Sequence, residues 1–433
     1  MKYKTSKYNF FFPYVDGNTD WHKTIYNART GSLALLDEEK YNMLKDYEEK
    51  GILIDDNNFV SDLKKGGFLV DEKTDEIDII RYNMFKSRFS SSVLSLTIVP
   101  TSNCNFRCIY CYEKDKISPI AMSSCQQDLL VDFIENKSQD IKTLYITWYG
   151  GEPLLAIDII EKLSSKFIDI CSKNKISYYA NLVTNGYLLN KTMVNKLINC
   201  NVKTIQITLD GDASDHNIRR PLIGGAPTYD KIIENLCEIK GTENIEIAIR
   251  INADKHNISR VGNVIDTIRK LKLDTFVSPY LAMVENINDN YNDNSCFRKN
   301  EFSLYEYDFI MENRLDIMGH LPIQIGNYCC ADSSESYVIN ADGFIYKCWS
   351  ELGHREKNIG TLEDGLKNNE TLMSYLLYDP TKDDDCKECK FLPICMGGCP
   401  FVRKHNKEIR CTRMKYNMDK YMETIPITLA NQR

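Results

Sequence analysis

Apolar runs and amphipathic stretches alternate along much of the chain, and the spacing of apolar positions switches between a period of two and one near 3.6. Between residues 91 and 285 the largely apolar segments Val93–Val99, Thr143–Trp148, Tyr178–Val183, Thr204–Leu209 and Ile245–Ile251 read as strands. Helix-length amphipathic segments accompany them: Gln126–Asn136, Asp158–Asn174, Lys191–Asn199, Tyr229–Lys240 and Ile258–Lys272. Strands buried on both faces beneath helical crossovers predict an α/β fold. Its parallel sheet curls into a full or partial TIM-like (β/α) barrel, which places chemistry at the C-terminal ends of the strands.

Residues 1–90 have a different texture. Asn9–Tyr14, Thr24–Arg29 and Leu33–Leu36 suggest short strands, with Thr30-Gly31-Ser32 as a turn. Asp37 caps a helix over Glu38–Glu49 that Gly51 ends, a second helix covers Asn58–Lys65, and Phe68–Val70 resumes as strand. This predicts a winged-helix-like α+β domain over 1–90 and the barrel over 91–285. The polar run 286–295 reads as a solvated linker and opens a 286–322 segment whose helix, Asn300–Met318, bridges to the remainder. Residues 323–433 are loop-rich and rich in cysteine.

Composition narrows the possibilities. The chain has 433 residues and a net charge of -7, which argues against binding nucleic acid by phosphate neutralisation. A transmembrane helix would need about 18 consecutive apolar residues, and the sequence contains no such run. The first residues lack the apolar core of a signal peptide, so the expected location is the cytoplasm, with no membrane partner. In that compartment thiols stay reduced, and 16 cysteines therefore do not imply a disulfide scaffold. Cys125, Cys171, Cys200, Cys237 and Cys296 are scattered singly and read as small buried hydrophobes. The other eleven cluster at 104–111 and 329–411, a distribution that points to metal chemistry.

The first group lies just past the first barrel strand, where Pro100 is followed by TSNCNFRCIYCYE. Cys104, Cys108 and Cys111, spaced C-x3-C-x2-C, can hold three irons of a [4Fe–4S] cube and leave the fourth open. A structural zinc would want a fourth ligand nearby, and this loop contains no histidine. The spacing, with Tyr110 before the last cysteine, resembles the radical S-adenosylmethionine (SAM) superfamily. The resemblance implies that SAM chelates the open iron and is cleaved reductively to a 5′-deoxyadenosyl radical that abstracts a substrate hydrogen.

Further polar groups stand at the strand mouths. Gly150-Gly151-Glu152-Pro153 looks like the family's GGEP motif. There the glycines permit close backbone approach, and the carboxylate can accept from the SAM ammonium. Thr184-Asn185-Gly186 resembles a segment near SAM in relatives. Arg250 and Asn252 are candidate SAM contacts, and Asp210 is a candidate catalytic residue lining the substrate pocket. Arg219, Arg220 and Pro221 follow without an assigned role.

The second group runs Cys329-Cys330, Gly343-x4-Cys348, Cys386-x2-Cys389-x5-Cys395-x3-Cys399 and Cys411. C-x2-C with C-x3-C can also be a zinc ribbon, but eight cysteines without a well-placed histidine equal two four-thiolate cages. The spacing resembles the SPASM extension of radical SAM enzymes. By that resemblance Cys386, Cys389, Cys395 and Cys411 hold a distal [4Fe–4S] cluster, and Cys329, Cys348 and Cys399 hold one nearer the active site, making three clusters in all. The Cys329-Cys330 doublet leaves the first ligand of that nearer cluster open between the two, with Cys329 favoured; Cys330 then either fills the fourth position or is a bystander.

The three-part organisation resembles maturases of ribosomally made peptides. The resemblance implies that the N-terminal domain recognises a precursor peptide by adding its leader as a strand, and that a reductant such as flavodoxin or ferredoxin supplies the electron. The implied reaction is hydrogen abstraction followed by a crosslink, thioether first, carbon–carbon or carbon–oxygen otherwise. The alternatives are a sulfatase-maturating enzyme that makes formylglycine, and a non-catalytic iron–sulfur or zinc protein. A nucleic-acid-modifying radical enzyme is a further alternative, disfavoured by the acidic balance. Ser/Cys–His hydrolysis finds no support.

Overall fold

The computed structural model describes residues 2–12, 23–405 and 411–431. The chain divides into two compact units: 90–298 with 334–376, and 1–89 with 299–333 and 377–433.

The first unit is built on parallel strands Val93–Ile98, Thr143–Trp148, Ser177–Thr184, Val202–Thr208, Glu246–Ala253 and Val277–Met283, paired in that order. Helices Ser124–Lys137, Ile157–Asn174, Lys191–Asn199, Tyr229–Ile239 and Gly262–Lys270 cross between them. The sheet does not close. The first strand instead pairs in parallel with Ser336–Ile339, and antiparallel pairing carries the sheet on through Phe344–Tyr346 and Gly360–Thr361 to Gly365–Leu366. The architecture is thus a partial barrel with the β-ribbons of 336–366 appended.

Burial differs between the two strand faces. Leu94, Leu96, Ile98, Leu144, Ile146, Trp148, Ile205, Ile207, Ile247 and Ile249 are all buried. The alternate positions carry Ser95, Thr97, Tyr145, Thr147, Tyr179, Asn181 and Gln206, which solvent partly reaches. The expectation of burial on both faces is therefore corrected. Interior positions of a closed (β/α) barrel are filled by packed branched side chains, whereas six strands that stay open leave a lumen lined by polar and aromatic groups. Tyr280 Oη donates to Gln206 Oε1 at 2.6 Å, and Asn181 Nδ2 donates to Tyr145 Oη at 2.5 Å.

The other unit contains the antiparallel strands Asn9–Phe12, Lys23–Asn27 and Ser32–Leu36 and the pair Tyr3–Thr5 with Leu69–Asp71. The last two residues of the expected strand Asn9–Tyr14 lie outside the described residues. Asp37 caps helix Glu38–Lys50 by accepting from Lys40 N at 2.7 Å, and Gly51 ends the helix at φ 69°. Helices Asn57–Lys65 and Glu76–Arg88 complete this winged-helix-like part. Its core is continuous with the C-terminal cysteine-rich segment, since Tyr8, Tyr26, Ile80 and Met84 share one buried cluster with Cys386, Leu392 and Met418. No helix among the described residues is long and apolar enough to cross a membrane.

The stack of Trp148 on Phe167, with ring centroids 6.3 Å apart and planes 8° apart, joins the second strand to its following helix. Both rings are fully buried. Phe167→Ala is expected to destabilise the barrel by about 3–5 kcal/mol, visible as a lower urea midpoint followed by tryptophan fluorescence. An unchanged midpoint would mean that this contact does not hold helix to sheet.

Candidate active site

At the C-terminal ends of the barrel strands lies a cavity of about 390 Å³. Cys104, Cys108 and Cys111 line it, as do Tyr110, Gly150, Gly151, Thr184, Asn185, Arg250 and Asn252. Of the sequence-predicted site residues in this unit, Glu152 and Asp210 stand behind the wall.

The cysteine loop follows Ile98 directly, so the end of the first strand sets its origin. Gly150 and Gly151 let the second strand's exit press against it. A Cβ on Gly151 would run into the Asn103 carbonyl, and one on Gly150, at φ 116°, would lie 2.9 Å from Thr101 O. Behind the glycines, Glu152 is fully buried. Its carboxylate accepts from Thr184 Oγ1 (2.7 Å), Asn185 N (2.8 Å) and Leu154 N (3.1 Å), which locks the second strand's exit to the third's. Asn185 Nδ2 then donates to Asn105 Oδ1 at 2.8 Å and reaches the cysteine loop.

Tyr110 ties the loop to the remaining strands. Its hydroxyl accepts from Arg220 Nη1 (2.8 Å) and Asn252 Nδ2 (3.0 Å) and donates to Asp210 Oδ2. Arg250 Nε donates to Asn252 Oδ1 at 2.7 Å. Arg219 connects Asp210 (3.3 Å) with Asp254 (2.7 Å), and Tyr291 Oη donates to Asp254 at 2.7 Å. Asp210 is fully buried, and among the described residues its Oδ1 has no hydrogen-bond partner. Arg219 and Arg220, unassigned from sequence, thus turn out to be structural centres of the site. The only sequence signal for them is an arginine doublet at the end of a short helix.

The outer rim has its own chemistry. The hydroxyls of Tyr112 and Tyr149 share a hydrogen bond, and Tyr149 stacks on Trp349 with centroids 5.1 Å apart. Ile287 also lines the cavity, while Asn290 Nδ2 donates to Tyr112 O at 3.0 Å. The 286–295 stretch, expected as a solvated linker, therefore forms part of the wall. Its side-chain amides bond to protein carbonyls rather than to water alone.

The donor set suits an iron–sulfur cluster. Burial pushes the Cys104 and Cys111 thiols up to about 12, and it raises Cys108 against the pull of the Arg220 guanidinium. Thiolates in such a place need bound cationic metal to stay ionised. Among the described residues no three His, Cys, Asp or Glu side chains are arranged around a single metal ion. A cube that takes one sulfur per iron asks for a wider arrangement.

The second cysteine group is distributed over both units. In the unit that holds the N-terminal strands, Thr412 N donates to Cys395 Sγ at 3.3 Å, and Lys415 Nζ lies 3.6 Å from Cys411 Sγ. Burial pushes the Cys386 thiol up to about 12, with the Asp383 carboxylate and Cys395 and Cys389 adding to the rise. Cys329 precedes the turn 330–332, and Cys399 precedes helix Pro400–His405. Cys348 is buried in the barrel unit, immediately before the cavity-lining Trp349.

Residues 98–242 match the radical SAM superfamily model. A cysteine-type anaerobic sulfatase-maturating enzyme of Clostridium perfringens is 25% identical over 359 residues, covering 76% of this chain and 95% of that enzyme. The radical SAM cyclopropyl synthase TigE of Paramaledivibacter caminithermalis is 21% identical, covering 87% of this chain and 85% of TigE. Among solved structures, native anSMEcpe with bound AdoMet superposes with a TM-score of 0.61 at 19% identity, over 78% of this chain and 99% of that one. Streptococcus suis SuiB bound to precursor peptide SuiA gives 0.55 at 17% identity, over 93% of this chain and 97% of SuiB. The loop of three cysteines at the mouth of an open barrel accordingly belongs to a radical SAM domain, and the chain is a radical SAM enzyme.

Proposed function

We propose that this enzyme modifies a ribosomally made precursor peptide, with Cys104, Cys108 and Cys111 holding the [4Fe–4S] cluster to which SAM binds. When bound, cluster and cofactor supply the radical chemistry: one electron cleaves SAM to methionine and a 5′-deoxyadenosyl radical that takes a hydrogen atom from the substrate.

The protein's own residues do the holding. Gly150 and Gly151 hold the second strand's exit close against the cysteine loop at the cavity wall, and Thr184, Asn185, Arg250 and Asn252 present polar groups to SAM. Glu152 carries its expected role indirectly, by fixing the Thr184–Asn185 turn. Asp210 is proposed as a positioning residue rather than one that touches substrate, because it bonds Tyr110 from behind the wall. Tyr149 and Trp349 shape the rim that excludes water and receives the peptide side chain. The C-terminal cysteines are proposed as the residues that would hold two auxiliary [4Fe–4S] clusters, groups that would supply a one-electron acceptor. A thioether crosslink is the product proposed first.

The observation that carries the peptide-maturase reading is coverage. The likeness to SuiB, solved with its precursor peptide, extends over 93% of this chain, whereas the likeness to native anSMEcpe covers 78%. A leader peptide bound by the N-terminal strands is the proposed partner, together with a flavodoxin- or ferredoxin-type reductant. Formylglycine formation is the second reading, favoured by the 25% identity to the sulfatase-maturating enzyme. Leader dependence separates the two. The first reading predicts that a core peptide is modified only when joined to its leader. Formylglycine in a short leaderless cysteine peptide would support the second.

Cys104→Ala is expected to reduce dithionite-driven release of 5′-deoxyadenosine to background, measured by chromatography. Anaerobically reconstituted wild type should contain about twelve irons per chain. About four irons with one or two zincs would keep the radical site and make the C-terminal segment a zinc module. Asp210→Asn should retain this iron while raising the Kd for SAM about tenfold, because Tyr110 loses its charged acceptor. Unchanged SAM affinity would leave Asp210 a purely structural group.

A further inference from the structure

A carboxylate on the cavity wall, Glu113, has no place among the SAM contacts. It lines the cavity two residues beyond Cys111, and its Oε1 is buried with no hydrogen-bond partner among the described residues. Burial holds its carboxyl above the usual carboxylate range, and the group that draws it back is the neighbouring Tyr112 hydroxyl rather than an arginine or lysine. The two cations of the lining are engaged elsewhere: Arg220 Nη1 donates to Tyr110 Oη, and Arg250 Nε to Asn252 Oδ1. A carboxylate kept from water without a partner is costly, and a binding site gains discrimination from a polar group that only the right ligand completes. Aromatic rings stand beside it. The Tyr112 hydroxyl shares a hydrogen bond with that of Tyr149, whose ring stacks on Trp349. Trp349 lines the same cavity while 46% exposed, and Lys114, Asp115 and Lys116, which follow Glu113, are all exposed. Glu113 therefore stands where the lining gives way to solvent, the side from which a peptide arrives.

We propose that Glu113, with the ring pair Tyr149–Trp349, binds a basic side chain of the peptide substrate, a lysine or arginine close to the residue from which hydrogen is taken. The inference rests on the reading of this cavity as the place where SAM meets a peptide. An ammonium or guanidinium supplies the charge and the hydrogen-bond donor that Glu113 lacks. Its aliphatic stem and its cation both suit the neighbouring rings, since aromatic faces attract cations electrostatically. A neutral side chain of similar length gains the apolar contact but leaves the carboxylate stranded. Glu113 is thus a specificity-determining residue, and its contact fixes which stretch of peptide lies over the site without any bond being made or broken. SAM carries an ammonium of its own, so the affinity for SAM and the affinity for a basic side chain have to be read separately.

The test uses the full chain, reconstituted anaerobically and saturated with SAM. The probes are three capped tripeptides, acetyl-Gly-Lys-Gly-amide and its arginine and glutamine counterparts, titrated calorimetrically. The lysine and arginine probes should bind wild type about tenfold more tightly than the glutamine probe. Glu113→Gln should bring all three within about twofold of one another, while the Kd for SAM and the iron content match wild type. Equal binding of the three probes to wild type, or no measurable binding of the charged ones, would overturn the assignment. So would a Glu113→Gln enzyme that keeps the preference and binds SAM about tenfold more weakly, because the carboxylate would then serve the SAM ammonium. Should Glu113→Gln fail to take up iron, Trp349→Leu decides: it should weaken the lysine probe about threefold and leave the glutamine probe unaffected, and unchanged lysine binding would count against the proposal. Absence of dithionite-driven 5′-deoxyadenosine release from wild type would overturn the radical SAM reading instead, a result on which none of these affinities depends.

Discussion

The hydroxyl of Tyr110 is the point on which the site depends. It sits between two cysteines of the loop, yet its partners Asp210, Asn252 and Arg220 come from the ends of the fourth and fifth strands and from the segment after the short helix 213–219. A loop held only by its own backbone could not keep three thiols in one arrangement, and sites set by supported side chains are tighter than sites left to loops. The supporting groups are themselves charged and buried. Arg219 and Arg220 balance Asp210 and Asp254, two of each sign, so the layer is neutral as a whole. Such a layer stabilises only when every charge is paired, because removing one partner leaves another stranded away from water.

The open barrel explains the rest of the geometry. Because the first strand pairs outward with Ser336–Ile339 and not with the sixth strand, the lumen stays polar and the sheet continues into ribbons. That continuation brings Trp349 to the cavity rim beside Tyr149. The same excursion places Cys348 next to the rim in sequence. The sheet therefore positions both the cysteine loop and the first residues of the apparatus added after the barrel.

Much of this was legible in the chain, and the misses have physical causes. Long apolar strands and the capped helix after Asp37 announce themselves through period and cap chemistry. The strand Val277–Met283 does not, because Pro279 interrupts its pattern; it is tolerated there because the strand lies at a sheet edge. Helix Met414–Asn431 likewise contains Pro426, which reads as a break. Helix Glu76–Arg88 mixes acids and arginines into its apolar stripe and buries Arg88, so its pattern resembles a surface loop. At the site, cysteine spacing is visible because metal chemistry constrains it directly. The burial of Arg219 and Arg220 is not visible, since arginine ordinarily implies solvent and only the fold shows the carboxylates that meet them. The amides of 286–295 are ambiguous for a similar reason, as the same polarity serves water or a carbonyl.

The most direct test of the central claim is the electron paramagnetic resonance spectrum of dithionite-reduced enzyme, recorded with and without SAM. Wild type would be compared with the triple variant Cys104→Ala, Cys108→Ala, Cys111→Ala. If these thiolates hold a cluster with an iron open to SAM, adding SAM shifts a signal of the wild type, and the triple variant loses both that signal and about four irons per chain. Equal iron in the two proteins, with the same SAM-induced shift, would contradict the account.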